Sequence, residues 1–445
     1  MGINRTFRAL LPLAHPRVRK DAAMTARFAP NSSRVLDDLR WLVSIPSVSG
    51  TPAEIEIQDA LAARWRDEDW AVETWTIDVA ALASDPGFPG MEVERATGRG
   101  VLLRWPGSGN GRTLLLNGHT DVVPSGDLHA WNQDPFLPVL EIQDGQEVLR
   151  GRGACDMKAG LVAAWEAMRL VREAGITLAG DVLLAPVSGE EDGGLGTFSL
   201  LHHGVRADAC VVPEPTNLDI VPANGGALTF RLHVPGRATH ASRRTEGVSA
   251  IEKFVPIMNA LAKLETERNA HVDALMNRWP IAYPLSIGVI HAGDWASTVP
   301  DLLVAEGRLG VAIGESVDDA RTSLEQAVAR ACKEDDWLSA HPVTVEWWGG
   351  QFASGATPVD APIVELVRDE HTKLTGREPE IYGGPYGSDL RLLTGIGGIP
   401  TVQYGPGDSA AAHAPNEWVA IDDVFTCASV LAEVIVATCG EAKRP

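Results

Sequence analysis

Short apolar runs alternate with amphipathic helical patterns along the first half of the chain. The runs GVLLRWPG, RTLLLNGHTDVV, DVLLAPVSGEE and DACVVPEPTN are typical of buried strands. Helical spacing of apolar residues is found in SSRVLDDLRWLV, which has a serine to cap the helix and Pro46 beyond its end, and in GLVAAWEAMRLVREAG. This alternation predicts an α/β sheet covered by helices on both faces, with a ligand site just beyond the strand ends.

The pattern changes at about Asn224. From there the order is strand, helix, two strands and a helix, in the segments GALTFRLHVPG, GVSAIEKFVPIMNALAKLE, PLSIGVIHAG, LLVAEGRLGVAI and SVDDARTSLEQAVARACKE. In the last segment Ser316 and Asp319 form a capping box that marks the start of a helix. This order predicts a small α+β sandwich inserted into the larger α/β domain.

These patterns divide the chain into two domains and an extension. We predict a catalytic domain formed by residues 32–222 and 345–445, and an inserted domain formed by residues 223–344. The first residues are basic, but their apolar run ALLPLA is too short and too interrupted by proline for a signal peptide. We therefore expect residues 1–31 to be a disordered extension, with Met24 as an alternative start.

Charge and cysteine usage exclude several classes of partner. The chain has 445 residues and a net charge of −21, which argues against nucleic acid because phosphate binding needs a basic surface. No apolar run approaches the length of a membrane span. The five cysteines are widely spaced and include no C-x-x-C pair, so a reducing cytoplasm is expected rather than a disulfide framework. The sequence thus predicts a cytoplasmic protein with neither nucleic-acid nor membrane partners.

Polar side chains that suit metal binding come after the predicted strands. His119 and Asp121 follow three leucines and share one face of a strand, because side chains alternate along it. A histidine that binds metal through one ring nitrogen needs a carboxylate nearby to orient and polarise it, and Asp121 suits that role. The other such residues are Asp156, Glu190, Glu191, Glu214 and His413. Histidines together with carboxylates suit zinc, with cobalt or manganese as alternatives.

The adjacent carboxylates Glu190 and Glu191 are the most informative pair. They repel each other, and a divalent cation removes that repulsion. One of them can then bind metal while the other acts as the general base for a water molecule. A second metal about 3.5 Å away would need a bridging carboxylate, for which Asp156 is the candidate. Each of these residues alone has a structural explanation, but separate surface turns would not all follow buried strands of one sheet.

At these residues the chain resembles the M20 metallopeptidase family, which includes acetylornithine deacetylase, succinyl-diaminopimelate desuccinylase, aminoacylase and glutamate carboxypeptidase. The matching stretches are GHTDVVPSGD, GRGACDMKAG, SGEEDGGLG, PEPTN, GRATHAS and AHAPNE. The resemblance implies a two-metal, exopeptidase-like catalytic domain with an inserted α+β sandwich that serves as dimerisation and lid domain. It also implies a homodimer that acts on a small N-acyl molecule.

The resemblance further implies a set of metal ligands. His119 and Glu214 would hold one divalent ion, and Glu191 and His413 would hold the other. Asp156 would bridge the two ions.

Other residues take catalytic roles by the same resemblance. Asp121 would support the first histidine ligand, and Glu190 would be the general base. His240, in GRATHAS, would reach the partner's active site and stabilise the oxyanion. A cis peptide bond is expected between Asp156 and Met157.

The chain departs from the family pattern where a substrate carboxylate is usually bound. In GDWASTVPDLLVAEGRLG, Ser297 stands where many members have asparagine, and Gly310 stands where they have arginine. Arg308 is a candidate replacement, although it is two residues out of register. Arg391, in GGPYGSDLRLL, resembles the SDxR element of the deacetylases and is the main remaining candidate for binding a carboxylate.

We predict a metal-dependent amidohydrolase that removes an N-acyl group from a small amine or amino acid. The setting of Arg391 favours an amino acid. The alternatives are an amidohydrolase like the formylaminopyrimidine deformylases, whose substrate has no carboxylate, and a carboxypeptidase acting on short peptides. An inactive metal-binding protein is a further alternative, against which the presence of Glu190, Asp121 and His240 argues.

Overall fold

The first part of the chain alternates strands and helices in the computed structural model, which describes residues 27–442. Its helices are α1 Ser32–Val43, α2 Ala53–Asp67, α3 Val79–Ala83, α4 Ala159–Glu173 and α5 Leu195–His202. Its strands are β1 Ala71–Asp78, β2 Thr97–Trp105, β3 Leu114–His119, β4 Val139–Gln143, β5 Gln146–Arg150, β6 Val182–Val187, β7 Ala209–Val212 and β8 Ile220–Asn224.

The middle of the chain has the strand and helix order expected of the inserted sandwich. Its strands are β9 Gly226–Pro235, β10 Thr239–His240, β11 Leu285–Ala292, β12 Thr298–Val299, β13 Leu302–Val311 and β14 Thr344–Phe352. Its helices are α6 Ala250–Arg268, α7 Val317–Lys333 and α8 Asp336–Ala340. Helix α7 begins at the predicted capping box, because the Ser316 hydroxyl accepts a hydrogen bond from the Asp319 amide at 3.0 Å.

The chain then returns to the larger domain. The elements there are β15 Gly355–Ala356, α9 Pro362–Thr375, β16 Ile381–Gly384, α10 Leu390–Gly395, β17 Thr401–Gln403, β18 Trp418–Ala420 and α11 Ile421–Cys439.

The larger domain is built on a nine-stranded sheet with the order β1-β2-β6-β3-β7-β17-β8-β15, and β16 also pairs with β8. Strand β3 runs parallel to β6 and β7, and β17 runs parallel to β7. Leu114 and Leu116 pack in one apolar core with residues of α4 and α11, whereas Leu115 packs in a second core with residues of α5. Because side chains alternate along β3, one face of the strand packs against α4 and α11 and the other against α5. The sheet is thus covered by helices on both faces, as the sequence predicts.

The smaller domain has a four-stranded antiparallel sheet with the order β11-β13-β9-β14 and its own apolar core beneath α6 and α7. The chain enters the smaller domain after β8 and returns to the larger domain at β15. These two strands are neighbours, because Asn224 at the end of β8 pairs directly with Gly355 in β15. Strand β14 extends the smaller sheet to Phe352, which still pairs with Ala227. The domain limits given above stay a prediction.

The predicted N-terminal extension, residues 1–31, lies largely outside the residues that the structure describes. Residues 1–26, including Met24, lie beyond the described range. Within it, Phe28 is buried in the core of the larger domain, and Asn31 caps α1.

Helices suited to a membrane are not found in the part of the chain that the structure describes. No helix there combines the length and the apolar character needed to cross a bilayer.

Candidate metal centre

Most of the predicted metal ligands lie where parallel strands of the large sheet end. His119 is the last residue of β3, and the segments after β6, β7 and β17 carry the other strand-end residues. Asp156 lies just before α4, and its peptide bond to Met157 is cis, as the resemblance implies. Because the strands concerned are neighbours, their carboxyl ends deliver these side chains to one edge of the sheet.

Asp156 lies between the two histidines. One carboxylate oxygen is 2.9 Å from His119 Nε2, and the other is 3.4 Å from His413 Nε2. Glu214 is 3.9 Å from the same nitrogen of His119, and Glu191 is 3.0 Å from that of His413. Ligand atoms of His119, Asp156 and Glu191 all lie within 4.8 Å of one another. Two imidazoles and three carboxylates in this arrangement form a donor set that fits divalent cations.

The carboxylates around the two histidines raise the pKa of both rings and so favour their positively charged forms. Burial lowers the pKa of His119, but the hydrogen bond to Asp156 and the charge of Glu214 raise it well above its ordinary value. Hydrogen bonds with Asp156 and Glu191 raise the pKa of His413 to about 11. Burial raises the pKa of Asp156, but its hydrogen bonds with both histidines outweigh that effect and lower it.

The remaining carboxylates are buried and lie close together. Burial is the main cause that raises the pKa of Glu190, Glu191 and Glu214, and the charges of neighbouring carboxylates raise each pKa further. His119 opposes this effect at all three. Such crowding is relieved when a cation supplies positive charge.

Asp121 contacts its neighbours differently from the prediction. The ring nitrogen Nδ1 of His119 is 2.9 Å from the main-chain carbonyl of Asp121 and 3.9 Å from its carboxylate. The carboxylate instead accepts hydrogen bonds from the amides of Glu190 and Glu191, each at 3.3 Å, and from the Ser49 hydroxyl at 3.0 Å. The side chain therefore orients the turn that carries the two glutamates.

A cavity of about 240 Å³ opens onto this cluster. The lining residues are Asp156, Glu190, Glu191, Glu214, Pro215, Tyr386, Gly387, Ser388, Ser409, Ala412 and His413. Four candidate ligands and Glu190 form its charged part, whereas the rest of its wall is neutral. Tyr386 and Ser388 were not singled out by the sequence analysis, although both lie in the GGPYGSD stretch beside the SDxR element.

Arg391 lies outside the lining of this cavity. The residue is 4 % exposed, and its guanidinium donates to the carbonyl oxygens of Ser388 at 2.8 Å and Gly193 at 2.6 Å. The same group stacks over the Phe352 ring at 3.9 Å. These contacts clamp two loops of the site together and use two of the five guanidinium N–H donors.

The other predicted substrate residues also lie outside the cavity lining. Arg308, on β13, forms an ion pair of 2.7 Å with Glu92. Ser297 is exposed, and its carbonyl accepts a hydrogen bond from the Ala241 amide at 2.8 Å.

His240 lies in the same part of the smaller domain as Ser297. It is exposed, pairs with Thr298 between β10 and β12, and has its Nδ1 2.7 Å from the Ser242 hydroxyl. It does not line the cavity of its own chain.

Comparisons with known proteins agree with this architecture. The family model described as "Peptidase family M20/M25/M40" matches residues 115–437. The N-formyl-4-amino-5-aminomethyl-2-methylpyrimidine deformylase of Bacillus subtilis is 29% identical over 414 residues, covering 87% of this chain and 90% of the relative. The succinyl-diaminopimelate desuccinylase of Gluconacetobacter diazotrophicus is 30% identical over 342 residues, covering 73% and 80%.

A solved structure confirms the fold class. The YXEP protein of Bacillus subtilis, described as a dinuclear metal binding peptidase from the M20 family, aligns with a TM-score of 0.60 at 17% identity. The alignment covers 92% of this chain and 98% of that one. The match of the family model to most of the chain, together with this fold, shows that the protein belongs to peptidase family M20/M25/M40.

Proposed function

We propose that the protein is a metal-dependent amidohydrolase that cleaves the N-acyl amide bond of a small molecule. The observation that carries this proposal is the position of Asp156 between His119 and His413, with Glu190 beside them in a small cavity. The names of the two relatives support it, because one is a deformylase and the other a desuccinylase.

The donor set supports two divalent ions. His119 and Glu214 would hold one, Glu191 and His413 the other, and Asp156 would contact both. Histidine and carboxylate donors suit zinc, with cobalt and manganese as alternatives. When bound, the ions would supply Lewis acidity for the amide carbonyl and the attacking water.

Glu190 suits the role of general base. It is 7 % exposed, it lines the cavity, and burial raises its pKa. Its carboxylate takes a proton from the water whose oxygen bonds to the carbonyl carbon. It then returns that proton to the nitrogen as the carbon–nitrogen bond breaks. Asp121 holds the Glu190 amide and so keeps the base in place.

His240 suits the role of an oxyanion donor supplied by a second copy of the chain. It is exposed on the smaller domain and absent from the cavity of its own chain. In this arrangement its imidazole donates a hydrogen bond to the oxygen that gains charge in the transition state.

A homodimer formed through the smaller domain is supported by exposed apolar side chains. They are found on α6 and on β11, which is an edge strand of the four-stranded sheet. The residues are Ile251, Val255, Met258, Val289 and Ile290. Apolar side chains clustered on a helix face and an edge strand are typical of surfaces that bind another chain.

The cavity favours a substrate without a carboxylate. The SDxR motif, in contrast, favoured an N-acyl amino acid, whose carboxylate Arg391 would bind. No lysine or arginine of residues 27–442 belongs to the lining, and the guanidinium of Arg391 is engaged by carbonyl oxygens. The guanidinium of Arg308 is likewise occupied, in its case by the carboxylate of Glu92. An N-acyl amine, like the substrate named for the deformylase, fits this wall better than an N-acyl amino acid.

We also propose a cytoplasmic location. The five cysteines are buried and unpaired, as expected of a protein in a reducing compartment.

A substrate panel tests the proposed function. The purified protein would be loaded separately with Zn²⁺, Co²⁺ and Mn²⁺, and its metal content measured. It would then be assayed on N-formyl, N-acetyl and N-succinyl derivatives of amines and amino acids, and on dipeptides. We expect turnover of N-acyl amines and bound metal in a ratio of two per chain. Metal-free protein, or turnover of dipeptides alone, would contradict the proposal.

A further inference from the structure

A buried ion pair joins the two chain segments that carry Asp156 and His413. Arg152 and Glu417 are 2 % and 1 % exposed, and Arg152 Nη1 donates to Glu417 Oε2 at 2.6 Å. The two residues are 265 positions apart in sequence. Each nevertheless lies four residues from a candidate ligand, Arg152 before Asp156 and Glu417 after His413. They belong to the stretches GRGACDMKAG and AHAPNE, where neither has a role in the proposed reaction.

The second oxygen of Glu417 fixes the main chain at Asp156. Glu417 Oε1 accepts hydrogen bonds from the amide of Cys155 at 2.8 Å and from that of Asp156 at 3.1 Å. Both oxygens of this carboxylate are therefore used, one by the guanidinium and one by the backbone. Because these amides precede the Cα of Asp156, their position helps to decide where its side chain points.

Arg152 extends the connection to His413. Its Nη2 is 3.4 Å from the main-chain carbonyl of His413, and its guanidinium lies 5.2 Å from the centre of the Trp131 ring. The amide of Gly151 also donates to the carbonyl of Glu417 at 3.0 Å. Side-chain and main-chain contacts thus hold the two ligand segments in one arrangement.

We propose that Arg152 and Glu417 are positioning residues that set metal affinity by fixing Asp156 relative to His413; this inference rests on the proposed metal site. Removing charges from water costs free energy, so a buried ion pair is a poor source of stability alone. Here its hydrogen bonds hold groups next to two ligands whose nearest atoms are 3.4 Å apart. Groups that orient metal ligands typically change metal affinity or activity by about 10–100-fold when they are mutated.

The test is Glu417→Gln compared with Asp38→Asn. The introduced glutamine keeps the volume of Glu417 but turns an amide N–H₂ group towards Arg152 or towards the backbone amides. Asp38 is a matched control, because it is 0 % exposed and pairs at 2.5 Å with Arg169, which is also buried, away from the candidate ligands. Each protein would be stripped of metal and titrated with Co²⁺ against a competing chelator. The visible absorption of bound Co²⁺ would be recorded as well.

We expect Glu417→Gln to weaken Co²⁺ binding by about 10–100-fold and to change the Co²⁺ spectrum. Asp38→Asn should lower the melting temperature but leave both the Co²⁺ affinity and the spectrum as in the wild type. A merely structural role for Glu417 predicts instead that both variants lose only stability, and that result would overturn the inference.

Arg152→Lys covers the case in which Glu417→Gln does not fold. Lysine keeps a positive charge beside Glu417 but cannot also reach the His413 carbonyl, so we again expect weaker Co²⁺ binding. Wild-type affinity and spectrum in Arg152→Lys would then count against the inference. Failure of the wild-type protein to bind Co²⁺, Zn²⁺ or Mn²⁺ would overturn the proposed function itself, which the wild-type titration reveals separately.

Discussion

The imidazole of His119 is held by the main-chain carbonyl of Asp121, with Nδ1 and the oxygen 2.9 Å apart, while the nearest carboxylate oxygen is 3.9 Å away. The carbonyl fixes the ring orientation and leaves the carboxylate to accept the amides of Glu190 and Glu191. A substitution of the Asp121 side chain should therefore act on the glutamate turn more than on the histidine.

Asp121→Asn is the corresponding prediction. The asparagine side chain has only one oxygen to accept from the backbone amides of Glu190 and Glu191, and its N–H₂ group faces one of those donors. The turn carrying Glu190 should therefore shift. We expect kcat to fall by about 10–100-fold while metal remains bound. Ser49→Ala, which removes only one hydrogen bond to the same carboxylate, should have a smaller effect. Selective loss of one metal, with normal kcat after reloading, would show that Asp121 acts through His119.

Glu190→Gln should separate catalysis from metal binding. Glutamine keeps the shape of Glu190 but cannot accept the proton of the attacking water. Loss of a general base typically lowers turnover by about 10²–10⁴-fold. We expect full metal content in Glu190→Gln and reduced metal content in Glu191→Gln, measured by elemental analysis of both variants. Metal loss from Glu190→Gln, or near-normal kcat, would refute the assignment of the base.

His240→Ala should lower kcat much more than it weakens association of the subunits. Loss of an oxyanion donor typically costs about 10²–10³-fold in kcat. Mixing His240→Ala subunits with Glu190→Gln subunits gives heterodimers in which one site has both groups intact, so activity should return. Ser242→Ala, which keeps the imidazole but removes its 2.7 Å contact, is the control. Verified heterodimers without activity would exclude a role across the interface.

Arg391→Ala should affect substrates with and without a carboxylate equally. The side chain holds the carbonyls of Ser388 and Gly193, so its loss should disturb two cavity loops and lower the melting temperature. Kinetics on an N-acyl amino acid and its carboxamide would measure this, and the wild type should use the carboxamide at least as well. A rise in KM confined to the carboxylate substrate would restore Arg391 as a substrate ligand.

The buried His371 predicts acid sensitivity of the metal-free fold. Burial, together with the charge of Arg377, lowers the pKa of His371 to about 3 from 6.5. As pH falls through this interval, the unfolded chain takes up a proton that the folded chain does not, so the free energy of unfolding falls. One such proton contributes at most about 1.4 kcal/mol per pH unit.

Urea unfolding of the metal-free protein between these two pKa values measures the effect. His371→Gln keeps an acceptor for the Tyr404 hydroxyl, which lies 2.8 Å from the ring, and should flatten the dependence on pH. The exposed His271, changed to Gln, should leave it unaltered. Equal slopes in the wild type and His371→Gln would contradict this origin of the acid sensitivity.

The sequence was informative about the sheet because apolar runs and helices alternate in it. Since Leu114 to Leu116 are buried on both faces, the strand had to lie inside the sheet, and the polar residue ending it had to reach the sheet edge. Asp156 does not follow a strand of this sheet, because β5 before it belongs to a separate sheet, yet its carboxylate lies 3.4 Å from the His413 imidazole. Their roles as ligands stay a prediction.

Other features depend on neighbours that sequence does not reveal. The SDxR motif marked Arg391 as a candidate for binding a carboxylate, but its guanidinium donates to Gly193, 198 positions away, and the residue lies outside the cavity lining. Likewise, the spacing of His119 and Asp121 predicted that the Asp121 carboxylate orients the imidazole, whereas the main-chain carbonyl of Asp121 makes the closer contact. Both outcomes depend on side-chain rotation and loop packing.

The direct pairing of Asn224 with Gly355 means that the smaller domain is inserted between adjacent strands of the large sheet. We therefore expect changes in its length and sequence to leave the register of β3, β6, β7 and β17 unaltered. Chimaeras that exchange this segment between relatives would separate what each part of the chain contributes to substrate choice.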